Sequence, residues 1–65
     1  DDEFINRILD ILCKSAMTVT EIARALGYKG ITRKLRLTID RLCDEGYIVK
    51  SIRGGDIVYI CLRKP

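Results

Sequence analysis

Apolar residues recur at spacings of three and four through the first two thirds of the chain, then give way to β-branched runs broken by a Gly-Gly pair. The first regime predicts helices and the second strands. Residues 3–14 place Phe4, Ile5, Ile8, Leu9, Ile11 and Leu12 on an arc of about 160°, with Asn6, Arg7, Asp10 and Lys14 opposite. Asp1 or Asp2 caps this opening helix, and negative charge suits the positive end of its dipole. The stripe is broad. It reads either as a plain core helix or as one whose Phe4 and Ile11 edge is left for another subunit or a neighbouring domain.

After the short connection Lys14-Ser15-Ala16, Met17 is placed to pair as a small strand. Thr18-Val19-Thr20-Glu21 then spells a capping box, in which the Thr hydroxyl accepts from the third helical N–H and the Glu accepts from the cap's own amide. Met17 and Ile22 have the spacing of a hydrophobic staple. Val19, Ile22, Ala23 and Leu26 share one side, and Gly27 supplies a left-handed stop, so the helix runs for about nine residues. Tyr28-Lys29-Gly30-Ile31 forms a turn and Thr32 caps the next helix, which runs to about Glu45 and breaks at Gly46. At 100° per residue Leu35, Ile39 and Leu42 form its buried stripe, while Arg33 and Leu37 point away, flanked by Lys34, Arg36 and Arg41. Asp40 and Asp44 share the outward side. Two helices joined by a turn of three or four residues, the second presenting cations, have helix-turn-helix geometry.

Residues 47–53 and 56–62 are strand-like and flank Gly54-Gly55, which reads as a tight hairpin because a primed turn needs the positive φ that glycine adopts cheaply. The element order is α, α, α, β, β, an α+β fold. In the second strand Val58, Ile60 and Leu62 face one way and Ile57, Tyr59 and Cys61 the other, so neither face is polar. The surplus apolar face calls for a partner, either a second copy or the rest of a parent chain; Tyr59 is that contact or an amphipathic edge.

Sixty-five residues make a single domain over 1–65, with little room for a catalytic cavity. Asp1 is not Met, so the sequence reads as a piece of a longer protein or as one whose start is not seen. There is no membrane-spanning run and no signal-peptide pattern. Cys13, Cys43 and Cys61 are too far apart for a zinc pattern, no histidine completes one, and the expectation is three small buried hydrophobes in a reducing cytoplasm. No acid–base pair, phosphate loop or activated nucleophile is legible, so the reading is not an enzyme, with no cofactor and no metal. Net charge is +3, unevenly spread. Residues 1–10 carry −3 (Asp1, Asp2, Glu3 and Asp10 against Arg7), residues 29–41 carry +4, and residues 50–64 carry +3 from Lys50, Arg53, Arg63 and Lys64 against Asp56. One end of the fold is expected to be positive, as in a nucleic-acid binder that presents one face.

The phrase TVTEIARALGYKG, the helix ending IDRLCDEGYI with Ile39, Leu42, Gly46 and Ile48 at the diagnostic places, and the closing hairpin together resemble the winged helix-turn-helix superfamily. The resemblance covers essentially the whole chain. More narrowly, GYKGIT resembles the winged-helix domain at the end of RecG-related regulators that carry an AlbA-like domain. The resemblance implies sequence-specific binding of double-stranded DNA within a transcriptional regulator, with residues 32–45 as recognition helix and residues 47–62 as wing. Thr32, Arg33, Lys34, Arg36 and Leu37 would lie nearest the bases, where an arginine on guanine discriminates by about 1–3 kcal/mol. Lys29, Lys34 and Arg41 would hold phosphates, and Lys50 and Arg53 would act from the wing. Leu37 would meet a thymine methyl or a protein. The alternative is a protein-interaction or dimerising module of the same fold that does not bind DNA, with Phe4, Ile11 and Tyr59 as its contacts.

Overall fold

The computed structural model describes residues 2–65. Three helices, α1 (Asp2–Lys14), α2 (Val19–Ala25) and α3 (Arg33–Asp44), precede an antiparallel hairpin of β1 (Ile48–Arg53) and β2 (Asp56–Cys61). Asp2 lies inside α1, and Asp1 lies outside the described residues.

Each boundary has a local cause. The Thr18 hydroxyl accepts from the Glu21 amide at 3.2 Å while the Glu21 carboxylate accepts from the Thr18 amide at 2.9 Å, closing the capping box. Thr32 caps α3 alone, accepting from the Leu35 amide at 3.1 Å. Both helices then stop in the same way. Gly27 (φ 86°) and Gly46 (φ 81°) turn left-handed, and the tyrosine after each donates back into the last helical turn, Tyr28 to Ala23 O and Tyr47 to Leu42 O. With Gly27 donating to Arg24 O and Gly46 to Cys43 O, each ending is a Schellman motif that satisfies carbonyls the helix would otherwise leave open.

The connection between α2 and α3 is longer than the expected turn. It occupies residues 26–32, because the Schellman exit from α2 is followed by an extended approach that sets Thr32 at φ −96° and ψ 158° for capping.

In the hairpin Gly54 and Gly55 both have positive φ, 56° and 85°, as a type I′ turn requires. The register runs from Arg53 opposite Asp56 to Ile48 opposite Cys61. Met17 pairs with Tyr59 on the far edge of β2, donating and accepting one backbone bond each way, so the loop before α2 acts as a one-residue third strand.

The core gathers Phe4, Ile8, Leu9 and Leu12 from α1, Val19, Ile22 and Ala23 from α2, Leu26 from the connection, Leu35, Ile39 and Leu42 from α3, and Ile48 and Tyr59 from the hairpin. Two expected contact residues therefore belong inside. Phe4 is 6% exposed and Tyr59 only 2%, because the Met17 bridge holds β2 down over the helices; of that set Ile11 alone stays partly exposed. The cysteines differ from expectation in the opposite sense: Cys13 is exposed and Cys43 and Cys61 are half-buried, so none is a core residue.

Candidate nucleic-acid interface

The 100° spacing on α3 places its faces as expected. Leu35, Ile39 and Leu42 are buried, and Arg33, Arg36 and Leu37 stand exposed on the outward side, with Leu37 at 55%. Lys29 in the connection and Lys50 on β1 are exposed too. Among the described residues, none of Lys29, Arg33, Arg36 or Lys50 is in an ion pair. Those four cations are held by no internal carboxylate and can meet an external anion at low cost.

Lys50 belongs with α3. It sits directly opposite Tyr59, hence on the same hairpin face as the buried Ile48, which packs against the helices. Burial pushes the Cys43 thiol of α3 up from its ordinary range, and the Lys50 ammonium opposes that shift while Asp40 and Asp44 reinforce it. Lys50 thus lies within electrostatic reach of the helix shoulder that also bears Arg36.

The other expected site residues are engaged elsewhere. Lys34 turns toward α1, its ammonium 4.5 Å from the centre of the Phe4 ring, in a cleft lined also by Glu3 and Arg7. Arg41 is on the same shoulder, seven residues along, and pairs with Glu45 at 3.3 Å. Thr32 is exposed, but its hydroxyl oxygen serves the α3 cap. Arg53 leaves the group altogether. Three residues from Lys50, it projects from the opposite face of the hairpin, reaches across β2, and donates to Ala16 O at 3.1 Å and Glu21 Oε1 at 2.7 Å.

The positive charge at the C-terminus is also drawn off. Arg63 stacks 4.3 Å from the centre of the Tyr47 ring and donates to Glu45 O, a favourable place for a cation at the negative end of α3. Lys64 pairs with Asp10 of α1 at 2.6 Å. The expected cationic end is therefore smaller than the sequence sum suggests: residues 29–36 and Lys50 supply it, and Arg53, Arg63 and Lys64 do not.

Sequence reasoning missed the clamp between Arg53 and Glu21. No signal could have revealed it, because the two residues are 32 positions apart and each looks like an ordinary surface charge. It also missed how the hairpin's outer face is divided. Val58 is 3% exposed, and Arg53, on the same face, reaches Ala16 across β2. Val49 and Ile60, directly opposed, and Leu62 beyond them remain exposed.

Comparison with protein-family models, with curated proteins and with solved structures gives no match.

Proposed function

We propose that this chain is a winged helix-turn-helix module that binds double-stranded DNA as part of a cytoplasmic transcriptional regulator, with α3 as recognition helix and the β1–β2 hairpin as wing. The observation that carries the reading is the exposed, unpaired set Arg33, Arg36 and Lys50, grouped beside a helix whose other side is fully committed to the core. A single helix fits the roughly 12 Å width of the major groove. Arg33, Arg36 and Leu37 take the base edges, and Lys29 and Lys50 take phosphates on either side. Lys34 and Arg41 flank the phosphate track, and Arg53 has a structural role. Recognition by hydrogen-bonding and charge requires no catalytic group, cofactor or metal.

Titration of mixed-sequence duplex DNA at several salt concentrations tests this. Four neutralised phosphates give a slope of log K against log salt of about −3 to −4. Arg33→Ala/Arg36→Ala should weaken binding at least tenfold, and Lys29→Ala/Lys50→Ala should flatten the slope by about 2. A loss of twofold or less would transfer the outward face to another role.

A second reading has its own support in the exposed Val49, Ile60 and Leu62 on the back of the hairpin. It makes that face a contact with a second copy or with the rest of a parent chain. The two readings use different faces and are compatible.

A further inference from the structure

Cys13, in the last turn of α1, and Cys61, at the end of β2, bring their sulfurs to 2.9 Å across 48 residues of sequence. Both are free thiols, and Cys13 is solvent-exposed. We infer that Cys13 and Cys61 form a peroxide-sensitive dithiol that closes into an intramolecular disulfide, joining the end of α1 to the end of the hairpin. The inference is independent of the DNA-binding reading.

The surroundings hold the pair in place. Asp10, one turn before Cys13, and Lys64, three residues after Cys61, form the 2.6 Å ion pair that ties the C-terminal segment to α1 beside the thiols. A disulfide bond is about 2.05 Å long, so an approach of about 0.9 Å closes the bridge without moving either element far.

The roles divide by environment. Cys13 is open to solvent and meets the oxidant. Cys61 is half-buried, and its thiol is pushed up by burial and by its bond with Cys13, with the Lys64 ammonium partly opposing. Its sulfur, 2.9 Å from that of Cys13, is placed for the resolving step. With hydrogen peroxide as oxidant, the Cys13 thiolate attacks one peroxide oxygen, the O–O bond breaks, and the leaving hydroxide takes the thiol proton as water, giving Cys13 sulfenic acid. The Cys61 thiolate then attacks the Cys13 sulfur. The S–S bond forms as the S–O bond breaks, and the departing hydroxide leaves as a second water with the Cys61 proton. Two thiols lose two electrons and one peroxide gains them.

The test is mild peroxide treatment of the reduced protein, followed by thiol titration, peptide mapping without reductant, and thermal melting. Three titratable thiols should fall to one, Cys43, with a Cys13–Cys61 linked peptide and a mass loss of two hydrogens. Closure of a loop this long should raise Tm by roughly 10 °C, reversibly on addition of a thiol reductant. Cys61→Ser should leave a Cys13 sulfenic acid that dimedone traps, Cys13→Ser should slow thiol loss more than tenfold, and Cys43→Ser should change nothing. Retention of all three thiols in the untouched protein, a link through Cys43, or oxidation of Cys13 to sulfinic acid with no link to Cys61 would overturn the assignment. The peptide map of the unsubstituted protein decides even if a variant fails to fold.

Discussion

Glu21 does two jobs with one carboxylate. Oε1 accepts from the Thr18 amide at 2.9 Å, closing the helix cap, and from the Arg53 guanidinium at 2.7 Å, tying the hairpin to the start of α2. Both bonds favour the charged form, the Thr18 amide most, and they hold the carboxyl below its ordinary range. A carboxylate whose folded pKa is depressed contributes stability above its unfolded value and loses that contribution as pH falls through the folded one. The expected result is a melting temperature that falls as pH drops from about 5 toward 3, with a shallower fall in Glu21→Gln. Gln keeps an oxygen for Thr18 and discards only the charge. Superimposable acid profiles for the two proteins, followed by circular dichroism, would dispose of the clamp. The cap was legible because its two residues are three apart and the geometry is local. Arg53 was not, because only the hairpin register decides which face an arginine leaves from, and a step from 50 to 53 reverses it.

The helices were the most readable part of the chain, since both their stripes and their stops are short-range. Leu35, Ile39 and Leu42 declare the inner side of α3, and Gly27 and Gly46 declare two endings whose Schellman bonds need only the residues adjoining them. The connection over residues 26–32 was less readable, because its length depends on where α3 must lie to seal the core. Thr32 decides that starting point almost alone, since no acidic residue three positions later completes a box. Thr32→Ala should therefore cost about 1 kcal/mol, which for a domain of this size lowers Tm by roughly 4–8 °C. Thr32→Asp should restore most of the loss, because a carboxylate caps equally well at the positive end of the helix. Melting curves in which Ala and Asp behave alike would show that packing of α3, not its cap, fixes the entry. The strands and the pairing of Met17 were legible too, but not which residues they would bury. Alternation alone cannot foresee that the partner of Met17 is Tyr59, which is drawn into the core, or that Val58 is buried on the hairpin's outer face.

Two of the surfaces left once the core is closed bear on the proposed function. The outward side of α3 carries Arg33 and Arg36 around Leu37, with Asp40 and Asp44 further along; the back of the hairpin exposes Val49, Ile60 and Leu62, with Arg53 and Asp56 at its turn end. A molecule 31 × 26 × 20 Å across is close in breadth to one turn of DNA, roughly 34 Å, the spacing at which paired recognition helices enter successive major grooves. Two copies joined through the backs of their hairpins would have the size to place two α3 helices on one face of a duplex. This arrangement makes the apolar face useful to the cationic one: each half-site contact turns the second into an intramolecular event and raises the overall affinity without any new DNA contact. Ile60→Glu leaves the core alone, since Ile60 is exposed, yet puts a charge directly opposite Val49 in the middle of the contact. Sedimentation should show a concentration-dependent dimer for the unsubstituted protein and a monomer for the variant, with melting temperatures within a few degrees of each other. Binding to a DNA carrying one half-site should be unchanged by Ile60→Glu, whereas binding to two half-sites one turn apart should weaken. An unsubstituted protein that stays monomeric at every concentration would remove the second copy as occupant and leave the back of the hairpin to the rest of a longer chain.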